Sequence, residues 1–346
     1  MKDVIQHDIL SRPSKWSLAI GFTLVYLSWG TTYLAIKKGV EAFPPALFGG
    51  VRVALAGLLL LTYLAMRRRP LGMSAHDFLW TSLVAVLMFV GGNGLITYAE
   101  QSVASGVTSV LAATAPLWMV LLELLWPRGD RLRLRGWLGL VAGLCGVVLL
   151  MEPKLQDPAA FWQDTGPFLV LASAFAWALG SFVLRHRRLK VGHLTAAGYQ
   201  MAVGGSVLAI IGLGLGEGRQ VALERFTPLA VYSFFHLLVV SSLIGFVAYT
   251  WLLRHVSVAL AGTHAYVNPV VALLAGWLLN AEEITVWIVA GMIAILAGVA
   301  LMRGGTAPSP AERDKANVLA PEVNVPNAAP LAVPRPAAAR PSHGRD

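Results

Sequence analysis

HAYVNPVVALLAGW, residues 264–277, sets a proline, Pro269, inside a run that otherwise reads as a membrane-spanning helix. Proline has no N–H for the carbonyl four residues earlier, so Pro269 is expected to leave the carbonyl of Ala265 without its helical partner. Inside a bilayer such a carbonyl is tolerated only where protein, a side chain or cavity water satisfies it. The same device occurs a second time. SGVTSVLAATAPLWMVLLELLW (105–126) and VALAGTHAYVNPVVALLAGWLL (258–279) align on Pro116 and Pro269, and Pro116 correspondingly frees Ala112. The two prolines are read as helix kinks that shape two related cavity walls. The likeness continues: Asp130 falls on Glu283, GVVLLM (146–151) on GVALM (298–302), and SWGTTY (28–33) on AWALGSF (176–182) through Trp29 and Trp177. A unit of five helices is therefore expected twice. Because five is odd, the second copy enters the membrane from the opposite side. Inverted repeats of this kind mark secondary transporters, with the substrate site near the midplane between the copies.

Composition agrees with a membrane-embedded fold. Of 346 residues 56% are hydrophobic and 13% charged, and the mean hydropathy is +0.66, outside the balance of a soluble domain. Ten apolar runs, each near the roughly 20 residues that cross a bilayer, are expected at 16–36, 46–66, 78–99, 103–126, 136–151, 167–184, 194–215, 228–252, 259–280 and 285–302. The first has no small-residue cleavage site at its end and reads as a retained helix. Basic residues cluster on one side, at Lys15, Arg67 to Arg69, Arg128 to Arg135 and Arg185 to Lys190. By the positive-inside rule both termini are cytoplasmic, so the net charge of +9 reports orientation and no nucleic-acid partner is expected. The domain expectation is a cytoplasmic segment 1–15, a five-helix repeat 16–151, a linker 152–166, a second five-helix repeat 167–303 and a disordered Ala/Pro/Arg-rich tail 304–346.

WGTTYLAIKKGVEAFPPALFGGVRVALAGLLLL (29–61), GNGLITYAEQSVASGVTSVLAATAPLW (92–118) and YVNPVVALLAGWLLNAEE (266–283) resemble the EamA-type carriers of the drug/metabolite transporter superfamily, in particular their YedA-like bacterial inner-membrane branch. The resemblance covers about residues 16–303. It implies an all-α fold of ten transmembrane helices in two EamA repeats around a central cavity, with helices 5 and 10 as peripheral scaffold. It also implies export of amino acids, related metabolites or toxic compounds.

Polar groups in a membrane are costly, so each is a candidate for function. On helix 3, Asn93, Thr97 and Glu100 share a face, with Tyr98 adjacent; Glu100 either binds or couples, or is a solvated helix-end carboxylate. Helix 9 offers His264 and Asn268, and a histidine titrates near neutral pH, which makes His264 a second coupling candidate. Trp29, Thr32 and Tyr33 of helix 1, Trp118 of helix 4, Trp177 and Ser181 of helix 6, and Ser242 and Tyr249 of helix 8 complete the substrate-binding candidates. Aromatic walls with a few neutral polar groups suit an amphipathic or zwitterionic organic solute, although Trp and Tyr also serve as interface anchors. Arg52 resembles an arginine common in the family, or snorkels outward from helix 2. Glu123, Glu282 and Glu283 read as helix-end charges. Gly136, Gly139, Gly143 and Gly146 on helix 5, with Gly291, Ala294 and Gly298 on helix 10, suit close helix packing. Cys145 reads as a small packing residue.

Catalytic machinery is not evident: the histidines are scattered, and there is no metal-ligand spacing, phosphate loop or nucleophile with a base. Neither cofactor nor metal is expected, and no catalytic residue is assigned. A channel filter is likewise absent from the sequence. The expected protein is a secondary active or facilitative exporter in a bacterial inner membrane, acting on a small-molecule substrate by alternating access, as a monomer or homodimer. A flippase for lipids or lipid-linked precursors is the alternative.

Overall fold

The computed structural model describes residues 13–126, 131–155, 164–187, 190–256 and 263–307. The segment 1–15, the tail 304–346 and the linker 152–166 fall largely outside the described residues. Ten long helices, several of them built of consecutive segments, are seen among those described, with two short 3-10 turns between the seventh and eighth. They are α1 (Lys15–Val40), α2 (Pro45–Met66), α3 (Ala75–Ala99) and α4 (Ser105–Leu125); α5 (Leu134–Leu155), α6 (Gly166–His186) and α7 (His193–Gly214); α8, in three consecutive parts (Pro228–Phe235, His236–Gly245 and Phe246–His255); α9 (His264–Asn280) and α10 (Val286–Gly305). The first eight each hold a stretch long and apolar enough to cross a membrane. α9 begins at His264, later than the expected 259, with Thr263 in a turn at its N-cap; residues 257–262 are not among those described. Beside the helices, Arg131–Leu132 pairs antiparallel with Thr306–Ala307, a two-residue ladder absent from the all-helical expectation.

Local signals explain the helix starts. Ser14, Ser74 and Thr227 accept the N–H groups of Ser17, Asp77 and Ala230 at 3.0, 3.0 and 3.2 Å, satisfying donors that a first turn leaves free. α2 opens on Pro45, where the missing N–H is harmless. The two prolines behave differently. Pro269 lies inside α9 as expected. At Pro116 α4 is interrupted outright: the helix breaks at Ala113–Thr114, within the turn whose bond to the Ala112 carbonyl a proline cannot make, and Pro116 falls in the first turn of the segment Ala115–Leu125. Thr114 Oγ1 donates to the Leu111 carbonyl at 2.6 Å, satisfying one acceptor at that break.

Helix packing repeats itself with the two halves exchanged. α1 packs on α8 and α9, and its counterpart α6 packs on α3 and α4; α3 packs on α7 as α8 does on α2. Counterparts α2 and α7 pair with each other, as do α5 and α10. This is the contact pattern of two copies related by a two-fold axis. Glycine makes the self-pairing crossings possible: a Cβ at Gly57 would stand 2.3 Å from the Ala202 nitrogen, and one at Gly139 would stand 2.6 Å from the Gly298 carbonyl oxygen. Val53, Ala56, Leu60 and Leu64 of α2 bury against Ala197 and Met201 of α7 and Leu238 of α8. Large apolar side chains left exposed, such as Leu55, Leu58, Leu59, Leu138, Val141 and Val148, form the surface a bilayer covers. Cys145 belongs to that surface, contrary to the packing role expected for it, because α5 turns its glycine edge to α10.

Matching segments of the two halves share an uncommon winding. Val86–Gly94 of α3 and His236–Gly245 of α8 are π-helical. Such wide turns usually mark functional positions, since they re-aim side chains and loosen the backbone ladder.

Candidate functional site

The wide turn of α8 faces the break in α1. At Thr31, α1 is interrupted between Lys15–Gly30 and Thr32–Val40, and Thr31 Oγ1 hydrogen-bonds His236 Nε2 at 3.0 Å. One residue on, Thr32 Oγ1 meets Ser241 Oγ at 2.8 Å. Trp29 Nε1 donates to the Ser241 carbonyl at 3.2 Å. The Trp29 ring also packs on Tyr249 and His264, with centroids 5.0 and 4.8 Å away, and the latter two lie 5.4 Å apart. Thus α1, α8 and α9 bring four expected residues, Trp29, Thr32, Tyr249 and His264, into one aromatic and hydroxyl-bearing cluster. Ser241 supplies the serine contact instead of the expected Ser242. The π-winding over His236–Gly245 re-aims the side chains of this stretch relative to a regular helix.

Trp177 stands in the related position of the other half. A Cβ at Gly92, in the wide turn of α3, would lie 3.0 Å from Trp177 Cε3; a Cβ at Gly245, in that of α8, would lie 2.9 Å from Trp29 Nε1. Trp177 packs edge-on to Phe89 at 6.2 Å, and Ser173 Oγ donates to the Gly92 carbonyl at 2.7 Å. Ser181 turns its hydroxyl back on its own helix, to the Trp177 carbonyl at 2.8 Å. Trp118 packs on Phe175 at 5.6 Å. Its buried Nε1, like the buried Oδ1 of Asn268, has no hydrogen-bond partner, which leaves one donor and one acceptor for water or a solute.

The expected polar face of α3 divides three ways. Asn93 Oδ1 accepts Arg52 Nη2 at 2.9 Å. Arg52 is only 2% exposed, so it does not snorkel outward. Thr97 donates back to the Gly94 carbonyl at 2.6 Å. Glu100 is fully buried, not a solvated helix-end group. Neighbouring Tyr98 donates its hydroxyl to Glu217 Oε1 at 2.5 Å. Tyr33 lies within electrostatic reach of Glu100.

Two carboxylates from the second half cap helices of the first. Glu217, just beyond α7, accepts the N–H groups of Ala46 and Leu47 at 3.2 and 2.8 Å. Glu282, just beyond α9, accepts those of Ser105 and Gly106, each at 3.0 Å, together with Ser105 Oγ at 2.8 Å. Burial pushes the Glu282 carboxyl up, but the Gly106 and Ser105 N–H groups, the Asn280 amide and the Ser105 hydroxyl outweigh it and hold the carboxyl below the ordinary glutamate range. Sequence reasoning had Glu282 as a helix-end charge without its partner, and missed Glu217, His236 and Ser241. Only Ser241 and His236 carried a signal, as polar residues inside an apolar run. At the opposite helix ends, Glu123 meets Arg185 at 3.3 Å and His186 at 3.6 Å.

Eight long apolar helices, in an arrangement that exchanges one half for the other, define a multi-pass membrane protein of transporter architecture. The chain matches the EamA-like transporter family over residues 16–152 and again over 164–304, and it belongs to that family. It is 36% identical over 276 residues to the "uncharacterized inner membrane transporter YedA" of Escherichia coli (strain K12), covering 78% of this chain and 85% of that protein. With the "uncharacterized transporter YoaV" of Bacillus subtilis (strain 168) it shares 28% identity over 284 residues, covering 81% and 94%. A crystal structure of a protein superposes with a TM-score of 0.56 at 21% identity, covering 84% of this chain and 96% of that one, a likeness of fold alone. The chain is thus a membrane transporter of the YedA-like branch and a multi-pass protein of the bacterial inner membrane.

Proposed function

We propose that this transporter is an exporter of amino acids, related small metabolites or toxic amphipathic compounds, driven or facilitative, working by alternating access. Ten crossings, with repeats at 16–151 and 167–303 and both termini cytoplasmic, give the inverted pair that such a mechanism uses. The observation that carries the reading is the Trp29, Tyr249 and His264 cluster set on the wide turn of α8, with Trp177 on the related turn of α3. Aromatic walls, the Thr32 and Ser241 hydroxyls, and the unpaired Trp118 Nε1 and Asn268 Oδ1 suit an organic solute with few charges.

A lipid substrate is the second reading. Its support is an open apolar groove between α1 and α8, lined by Ile20, Leu24, Leu243, Ile244, Val247 and Trp251, against which an acyl chain can lie.

Comparison of small molecules in spent medium and cell extract tests the two. Cells expressing the parent chain should enrich one or a few soluble compounds outside relative to cells with an equal amount of the Trp29→Ala, Tyr249→Ala variant. No difference in any soluble compound would overturn the exporter reading and favour the lipid one.

A further inference from the structure

Glu100 is a buried titratable group that the proposed transport cycle leaves without a task. Its side chain is 0% exposed, and neither carboxylate oxygen has a hydrogen-bond partner. None of the nearby charged groups gives the carboxylate a hydrogen bond. Lys37, at the end of α1, donates Nζ to the backbone carbonyls of Glu100, Gln101 and Val103 at 2.7, 3.5 and 3.2 Å, not to the carboxylate. Arg52, facing from α2, gives Nη2 to Asn93 and leaves its own Nε unpaired. Glu282, from the turn before α10, is taken up by Ser105 and Gly106. Tyr33 of α1 faces the same region, and Asp164, ahead of α6, holds Ser102 Oγ at 3.1 Å.

An anionic carboxylate without a single donor is far costlier to bury than a neutral acid. The arrangement therefore favours a proton on Glu100 while the α3–α4 turn is shut. Opening that turn would separate Lys37 from the three carbonyls and admit water, giving the carboxylate both a cation and solvation.

We propose that Glu100 is a proton-binding site that latches the α3–α4 end of the bundle: protonated when Lys37 holds the turn closed, and ionised, with the proton released to water, when the turn opens. A proton that binds the closed state better must shift the equilibrium toward closure. Acid pH therefore favours the shut end, and alkaline pH favours opening. The inference rests on the transporter reading only for its use in the cycle.

The test needs no transported compound. Full-length protein in liposomes is followed by pH-difference infrared spectroscopy, reading the C=O band of a protonated carboxyl, and by deuterium uptake of the α3–α4 turn. The parent should show the band at neutral pH, and Glu100→Gln, which imitates the neutral acid, should lack it while purifying equally well. Raising the pH should remove the parent's band and increase uptake in the turn at least about three-fold over that of Glu100→Gln. Lys37→Gln, which keeps a donor but not the charge, should move the loss of the band upward by about one pH unit. Identical bands in parent and Glu100→Gln would overturn the proposal. So would a Glu100→Gln protein that fails to fold, equal uptake in both, or an unmoved transition in Lys37→Gln. Failure of the transporter reading would appear separately, in the medium comparison.

Discussion

Trp29 donates its indole N–H to the carbonyl of Ser241 at 3.2 Å, fixing the aromatic face of α1 against a backbone oxygen in the wide turn of α8. The contact depends on Gly245 one turn further along, whose missing side chain leaves room for the indole.

Gly245→Ala should push Trp29 off this seat, since its Cβ would fall 2.9 Å from Nε1 and 3.0 Å from Ser28 Cβ. Overpacking of this kind costs about 1–3 kcal/mol. The expected outcome is a lower melting temperature in detergent and reduced export, with an increase in Trp fluorescence quenching by an aqueous quencher. Gly92→Ala should act in the same way through Trp177, which lies 3.0 Å from its would-be Cβ.

The crossing of α2 and α7 should be intolerant of any side chain at Gly57, where the obstruction is the Ala202 backbone. Gly57→Ala is expected to lower stability by at least about 1–3 kcal/mol. Gly72, with nothing within 4 Å of its would-be Cβ, is the control: Gly72→Ala should fall within about 0.5 kcal/mol of the parent. Thermal unfolding in one detergent compares all three proteins.

Arg52 and Asn93 form a buried pair at 2.9 Å. Asn93→Ala removes the acceptor of a guanidinium that is 2% exposed, and losing a buried hydrogen bond to a charged group costs about 1.5–3 kcal/mol. Asn93→Asp offers a carboxylate to the same Nη2 and should recover most of that loss. Equal yields of folded protein for Asn93→Ala and the parent would contradict this account of the pair.

Glu282 links the end of α9 to the start of α4 and predicts a pH dependence. Its native carboxyl is held below the ordinary glutamate range. The stabilisation is therefore fully present above the ordinary glutamate pKa and is lost as pH falls through the lowered native value. Stability of the parent should fall in acid more steeply than that of Glu282→Gln, which has no carboxyl to protonate. Gly276→Ala should mimic the acid effect at neutral pH, because its Cβ would lie 2.4 Å from Glu282 Oε2. Losing such a cap costs about 1 kcal/mol, readable as a shift in unfolding temperature.

Much of the fold was legible because a bilayer enforces simple rules. Apolar runs mark the helices, and the duplicated proline with the Trp29 and Trp177 match marks the repeat. The prolines also show the limit of local reasoning. Pro116 and Pro269 look equivalent in sequence, yet α4 is interrupted at Ala113–Thr114, just ahead of Pro116, while Pro269 stays within its helix. The π-wound turns were hidden because their winding depends on neighbours across the bundle, and with them went the contact through Ser241. Glu217 was hidden for a different reason: it caps Ala46 from 171 residues away, a pairing no local pattern announces. Cys145 was misread because hydropathy marks an apolar face without saying whether protein or lipid covers it.

Alternating access is the central claim, and spin-label distances at both ends of the bundle test it most directly. With Cys145 replaced by alanine, one label pair goes at exposed Gln101 and Glu224 and another at exposed Arg69 and Lys190. In liposomes each pair should show two distances, and a condition that lengthens the first pair, alkaline pH among them, should shorten the second. A single fixed distance in each pair, or two pairs that lengthen together, would contradict the account.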